Sequence, residues 1–175
     1  MYPQETLQKV TTEIVSSAPP VVVFGIGIPG SGKSTLLKSV ARELDTTPVD
    51  VDRHRNQILS LGWSAGAVDR LNHQVATEVS THIVRGGVAL IDSPNCHPEF
   101  REQDIALYRS LGARTIGAIW MDTPQEVAIA RNSRRNSIAR VSLQTITSMH
   151  ASLSSQHPST SEGFDWIIRL TDEEE

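Results

Sequence analysis

Val21-Val22-Val23-Phe24-Gly25-Ile26-Gly27-Ile28-Pro29-Gly30-Ser31-Gly32-Lys33-Ser34-Thr35 is the stretch that decides how this chain folds. Its first four residues are β-branched or aromatic and uniformly apolar, the composition of a strand buried on both faces. Gly27 to Ser34 then satisfies G-x-x-x-x-G-K-[ST] in full. Glycines let the backbone turn so that successive N–H groups point inward around phosphate oxygens. A helix is predicted next, with Leu37, Val40 and Leu44 on one stripe. Its N-terminus adds positive potential at the same place. The pattern makes Gly27, Pro29, Gly30, Ser31, Gly32, Lys33, Ser34 and Thr35 the expected ATP-binding residues. Lys33 reaches the β and γ phosphates, and Ser34 offers a hydroxyl to Mg²⁺, a hard cation that takes few protein ligands. The competing reading is a glycine-rich turn with no ligand.

Outward from that loop, apolar strands alternate with helical patterns. Residues 4 to 16 carry Leu7, Val10 and Ile14 at helical spacing, and Ala18-Pro19-Pro20 ends that helix. Pro48 to Val51 predicts a short strand and Arg53 to Leu61 a helical segment. Ala65 to Val84 places Val68, Leu71, Val75 and Val79 at steps of three and four, a helix broken by Gly86-Gly87. Val88 to Ile91 is a second fully apolar strand. Pro98 opens a helix that runs to about Leu111, and Thr115 to Met121 is the next strand. Thr123-Pro124-Gln125-Glu126 has capping-box form with proline at the first helical position. A helix over Leu143 to Ser155 and a strand over Phe164 to Leu170 complete the chain. Such alternation means an α/β fold with a mainly parallel sheet, here of five strands.

The 175 residues, 38% hydrophobic and 21% charged, suit a single P-loop domain over residues 1–175. Cys96 is the only cysteine, which excludes a disulfide framework and a multi-cysteine zinc site. The longest nearly continuous apolar run, Val21 to Ile28, falls well short of the roughly 18 residues of a membrane span. Met1 to Glu5 has neither the basic nor the apolar region of a signal peptide, so a cytoplasmic location is expected. The net charge of -4 argues against a general nucleic-acid coat. Asp172 to Glu175 is most simply a solvated acidic tail.

A phosphate loop alone does not distinguish a kinase from a mechanical ATPase or a GTPase switch. No Asn is followed by Lys, so the guanine-reading N-K-x-D is absent. Asp92, after the third strand, is followed by Ser93, so the Asp-Glu pair of a mechanical ATPase is missing too. Together with a chain too short to carry much besides a nucleotide site, these negatives fit a small-substrate kinase best.

Open α/β sheets bind ligands beyond the carboxyl ends of their strands. Asp50 and Asp52 close the second strand, and period two directs both to one side. Asp52 comes last and suits a base that takes the proton of an attacking hydroxyl. The alternative is that it caps the following helix. Asp92 ends the third strand, where it can bind Mg²⁺ directly or through water, or orient the substrate hydroxyl; a plain strand-end turn is the alternative. Val127 to Ser161 contains no Asp or Glu, while Arg131, Arg134, Arg135 and Arg140 give it a local charge of +4. An arginine-bearing lid over residues 131–142 has a use in phosphoryl transfer, which is mostly positioning and charge stabilisation. Any one of these arginines also suits a solvated helix end. Arg55 is placed to hold a second phosphate on the acceptor side, or is a surface charge. The six histidines show no metal-ligand spacing. Trp63, Trp120 and Trp166 read as packing residues, with base stacking an option for Trp63.

Four segments, in order, resemble the kinase domain of phage-type polynucleotide 5′-kinases: Gly25 to Thr35, Asp52-Arg53-His54-Arg55-Asn56-Gln57-Ile58, Leu90 to Arg101, and Ala130-Arg131-Asn132-Ser133-Arg134-Arg135. That family sits among the adenylate-kinase-like P-loop kinases, with zeta toxins and chloramphenicol phosphotransferase. The D-x-x-R at Asp52, the N-x-x-P-E-x-R run at Asn95 and the R-N-S-x-R at Arg131 are its more specific marks. The resemblance covers about half of the chain, and residues 61 to 87 carry no matching motif. It implies a sheet order of 2-3-1-4-5, ATP and Mg²⁺ as cofactors, and a nucleic-acid 5′ end as acceptor. It further implies Asp52 as general base and Arg55 on the neighbouring substrate phosphate. Asp92 would help hold the acceptor site, and Arg131 and Arg135 would hold the ATP phosphates from the lid. A nucleotide, sugar or antibiotic acceptor is the alternative, and a nucleotide-binding regulatory module with slow ATPase activity is another.

Overall fold

All six residues of β1 (Val21–Ile26) are buried, because helices cover the sheet on both sides of it. The computed structural model describes residues 2–60, 66–137 and 139–171. Trp63 and the acidic tail over residues 172–175 lie outside the described residues.

The remaining elements follow in the order α1 (Gln4–Ser16, preceding β1), α2 (Lys33–Glu43), β2 (Val49–Asp50), α3 (Val51–Ser60), α4 (Ala67–Val84), β3 (Val88–Asp92), α5 (Pro98–Ser110), β4 (Thr115–Asp122), α6 (Gln125–Ser133), α7 (Leu143–Ser155), a 3₁₀ turn over Thr160–Glu162, and β5 (Trp166–Thr171). The five strands form one parallel sheet in the order β2-β3-β1-β4-β5, as the resemblance implies. The fold is α/β in three layers. Val21 and Val23 of β1 pack with Val10 and Ile14 of α1 and with Leu36, Leu37 and Val40 of α2. Val22, Phe24 and Ile26 pack against Val75, Val79, Tyr108 and Ile146 on the opposite side. Each such side chain, fully withdrawn from water, contributes about 1.5–3 kcal/mol. Among the described residues no helix is long and apolar enough to cross a membrane.

Several elements differ from their sequence-based expectations for local reasons. The second strand is two residues long, since only Val49 and Asp50 pair with β3. Helix α3 begins at Val51, so Asp52 lies in its first turn and does not share a strand face with Asp50. Asp50 is the cap: its Oδ1 accepts from the Arg53 N–H at 3.0 Å. Asp52 therefore does not cap α3. The capping box expected at Thr123 does not form either. Pro124 occupies the N-cap without a side-chain bond, and α6 starts at Gln125. The Thr123 hydroxyl instead donates to the Ser31 carbonyl at 3.2 Å, because β4 and the phosphate loop meet there. The last strand is displaced two residues toward the C-terminus of its expected start, to Trp166. Val68, expected on the core stripe of its helix, is 53% exposed.

One buried ion pair ties the far side of the sheet together. Arg101 is 1% exposed and meets Glu162 through Nε–Oε2 at 2.6 Å and Nη2–Oε1 at 2.8 Å. Its remaining donors reach the carbonyls of Asn95 and Gln156. Each guanidinium nitrogen thus donates at least one hydrogen bond, which helps make burying the charge tolerable. Glu162→Gln keeps the volume and removes the compensating charge. It is expected to lower folding stability by about 3 kcal/mol, measured as a reduced urea midpoint at unchanged slope.

Candidate active site

The site grows from the C-terminal ends of β1, β2 and β3. Gly25 pairs in register with Asp92, and Asp92 with Asp50, so three strands end side by side. The phosphate loop leaves β1 and enters α2 at Lys33. Gly32, with φ +92, occupies the N-cap of α2, a left-handed conformation that glycine adopts without strain. Gly30 has φ +96, and a Cβ there would lie 2.2 Å from the Ala128 carbonyl oxygen. The loop is thus pressed against α6, whose C-terminal end carries Arg131. Thr123 holds the same loop from β4 through the Ser31 carbonyl.

Three expected site residues come together on the opposite side. Ser34 Oγ donates to Asp92 Oδ1 at 3.1 Å, and Lys33 Nζ lies 3.8 Å from that oxygen. Lys33 and Asp92 are each 8% exposed. A hydroxyl and a carboxylate oxygen this close form an oxygen-donor pair that suits a hard cation. No cluster of three or more His, Cys, Asp or Glu able to hold a metal occurs among the described residues. Mg²⁺ at this position would therefore draw its other ligands from water and nucleotide phosphates, its usual habit. Ser31 Oγ is fully buried inside the loop without a hydrogen-bond partner. An unanswered buried polar atom in this loop fits a site shaped for a ligand.

The segment after Asp92 passes directly beneath the loop. Gly27 N–H donates to the Pro94 carbonyl at 3.0 Å, and Asn95 Nδ2 donates to the Gly25 carbonyl at 2.9 Å. Asn95 has φ +49, a conformation asparagine tolerates better than most residues. It then connects, through its own carbonyl, to buried Arg101. The run Asn95 to Arg101 is thus a brace that locks the β3 loop to the phosphate loop.

Beyond this brace lies a cavity of about 520 Å³ between α4 and α5, within the size range of small-ligand sites. Arg55 of α3 lines it, together with Ser93 to His97 from the loop after β3. Asp52 is joined to it by an ion pair with Arg55 one turn along α3. Cys96 lines the cavity too, and burial pushes its thiol up to about 12, so it is inert as a nucleophile at neutral pH. Asp104 of α5 lines the same cavity, and burial pushes its carboxyl up to about 6. The folded state binds this proton more tightly than the unfolded chain. The contribution of Asp104 to stability is accordingly most favourable at low pH and declines as pH rises through about 6. Tyr108, one turn further on, is raised well above the ordinary phenol range by burial and by Asp104.

The segment expected to act as a lid lies between α6 and α7. Asn132 is 5% exposed and pins both ends of the loop: its Nδ2 donates to the Val141 carbonyl at 2.8 Å and its Oδ1 accepts from Val141 N–H at 3.1 Å. Arg131 stands before this staple and Arg134, Arg135 and Arg140 within the loop it closes. The Arg135 carbonyl accepts from Arg140 Nη2 at 3.1 Å. Arg131 lies on α6, which abuts the phosphate loop at Gly30; among the described residues no hydrogen bond or ion pair joins Arg135 to that loop.

Of the residues named from sequence, Lys33, Ser34 and Asp92 meet at the phosphate loop, and Asp52 pairs with Arg55 beside the cavity. Sequence reasoning missed Thr123, Asn132 and Asp104 as site residues, and it placed Asn95 and Arg101 only within a family run. Asn132 also lay inside a quoted motif. The local signal at Thr123 pointed to a helix cap, and Asp104 carried none.

A family model described as an AAA domain matches residues 22–155. No curated protein matches the sequence. Among solved structures, the chain is similar to one in the Pnkp1/Rnl/Hen1 RNA repair complex at 22% identity and TM-score 0.69, over 86% of this chain and 48% of that one. The present chain therefore spans about half the length of that relative, 48%. It is similar to a putative kinase from Chloroflexus aurantiacus J-10-fl at 19% identity and TM-score 0.63, over 87% and 85% of the two chains. A Mycobacterium tuberculosis APS kinase, solved with AMPPNP and APS, is similar at 16% identity and TM-score 0.59, over 90% and 91%. At these identities the likeness is one of fold.

Proposed function

The chain belongs to the AAA domain family, and from that premise we propose that it is an ATP-dependent kinase of the polynucleotide 5′-hydroxyl type. The observation that carries the reading is the meeting of Lys33, Ser34 and Asp92 beside a cavity whose wall carries Arg55. One side of Asp92 is thereby suited to a triphosphate and the other to an acceptor. The D-x-x-R and N-x-x-P-E-x-R runs favour the polynucleotide branch, and the fold likeness to the RNA repair complex agrees with it. Residues 1–175 act as one P-loop kinase domain.

In this reading the backbone from Gly27 to Thr35 wraps the phosphates and Lys33 balances charge on the β and γ groups. Ser34 and Asp92 would hold Mg²⁺, which would supply positive charge to the phosphate oxygens. The acceptor hydroxyl oxygen bonds to the γ-phosphorus while the bond from that phosphorus to the β–γ bridging oxygen breaks, releasing ADP. The hydroxyl proton passes to the Asp52 carboxylate. Arg55 exchanges its intrachain partner for the phosphate next to the acceptor, which a guanidinium grips bidentately. Arg131 and Arg135 close on the ATP phosphates from the lid.

A small-molecule acceptor is the second reading. The specific observation behind it is that Arg55 and His97 are the basic residues among those described in the cavity lining. That is a modest electrostatic footprint for a long polymer. Incubation with ATP labelled at the γ-phosphate and a panel of acceptors separates the two. We expect label on 5′-hydroxyl DNA or RNA oligomers, at a rate that falls with added salt. Label confined to nucleosides, sugars or antibiotics would replace the first reading with the second.

A further inference from the structure

The acceptor cavity has a polar seam that phosphoryl transfer does not use. Its walls are apolar: Val68 and Leu71 of α4 face the cavity on one side, and Phe100 and Leu107 of α5 on the other. Phe100 is 57% exposed and Val68 53%, large exposures for side chains that a core would cover. Between these walls lie Asn72 of α4 and Gln103 and Asp104 of α5. They fall one helical turn from their apolar neighbours, so polar and apolar residues share each cavity-facing stripe. Neither helix needs them for its own hydrogen bonding. The Asp104 carboxylate has no hydrogen bond or ion pair among the described residues. A half-buried carboxylate without a partner opposes folding, as its raised pKa records. An apolar slot with a few convergent polar groups is the form of a small-ligand site, and a flat ligand suits facing helix walls.

We propose that Asp104 reads the terminal base of the acceptor, and that the cavity is built for guanine. A carboxylate offers two adjacent acceptors and no donor. The Watson–Crick edge of guanine offers two adjacent donors, N1–H and the exocyclic amine, which match it bidentately. Asn72 and Gln103 supply amide donors for the neighbouring O6. Uracil and thymine place their single N–H between two carbonyl oxygens, and those oxygens repel the carboxylate. The inference rests on the polynucleotide reading and names the substrate class within it.

The test compares 5′-hydroxyl oligomers that differ only in their first base, by kcat/KM with labelled ATP. For the unmodified protein, a guanine end should exceed a uracil end by at least about 10-fold, since a bidentate base contact discriminates at that level. An inosine end, which lacks the exocyclic amine, should fall between them. Asp104→Asn should bring the guanine end down toward the uracil end. The guanine preference should also fade as pH falls through about 6, as the carboxyl takes up a proton. Among the described residues, the other titratable groups lining the cavity are Arg55, Cys96, His97 and Tyr108, so the loss of this pH dependence in Asp104→Asn assigns it to Asp104. If Asp104→Asn does not fold, the inosine comparison in the unmodified protein still decides. Equal rates for all first bases, or an undiminished preference in Asp104→Asn, would overturn the inference and leave the kinase reading standing. No transfer to any oligomer would overturn both.

Discussion

Lys33→Ala is expected to abolish phosphoryl transfer, a fall of about 10³-fold or more, while the protein remains folded. The ammonium lies 3.8 Å from Asp92 Oδ1 and is almost fully withdrawn from water, so its charge acts in a medium that screens it poorly. In the proposed reaction that charge is spent on the β and γ phosphates. No other lysine in the described site stands in for it. The substitution leaves Asp92 with its Ser34 hydrogen bond but without its neighbouring cation, which costs about 1–3 kcal/mol of stability. Lys33→Met separates the two effects, because it keeps the aliphatic stem that packs against Gly25, where a Cβ would lie 2.9 Å from Lys33 Cγ. Both variants should melt cooperatively by circular dichroism and transfer no label from ATP. Turnover equal to that of the unmodified protein in either would remove the kinase assignment.

Asp52→Asn should slow transfer by about 10²–10⁴-fold at little cost in stability. The prediction is clean because a different residue caps the helix. Asp50 accepts the Arg53 N–H, so loss of the Asp52 charge leaves the start of α3 intact. The Asp52 side chain is 67% exposed, and its pairing with Arg55 is of the surface kind, worth at most about 1 kcal/mol. Asparagine keeps an acceptor for Arg55 but does not take a proton from the substrate. Asp50→Ala is the mirror control: it should lower stability by about 1 kcal/mol through the lost cap and spare the chemical step. Single-turnover transfer, measured beside thermal melts of the two variants, tells them apart. A fully active Asp52→Asn would end the base assignment.

The parts of the molecule legible in sequence are those whose causes are local. β-Branched runs bounded by glycine and proline marked the strands, and helical spacing marked α1, α4 and α7 within a residue or two at their ends. The phosphate loop was legible for the same reason, since positive φ at Gly30 and Gly32 is a property of those residues. The acidic residues at the end of the second strand were legible in composition but not in geometry. Asp50 and Asp52 looked like partners on one strand face; pairing with β3 stops after Asp50, and the chain turns into α3. Thr123 looked like a helix cap, yet its hydroxyl is claimed by a carbonyl 92 positions earlier in the chain.

By itself, then, the sequence determined an α/β chain, its strands and helices, the phosphate loop and the residue types available for phosphoryl transfer. Tertiary structure decided which of them meet. Ser34 and Asp92 are 58 positions apart, and Arg101 and Glu162 are 61 apart. Their contacts exist because β3 lies beside β1 in the sheet and because the chain returns past α5 after α7. Periodicity records only that one face of a helix is apolar. It does not record whether that face meets another wall, as Val79 does, or borders open space, as Val68 does at the cavity between α4 and α5. That distinction depends on the spacing between two packed helices, which no single helix encodes.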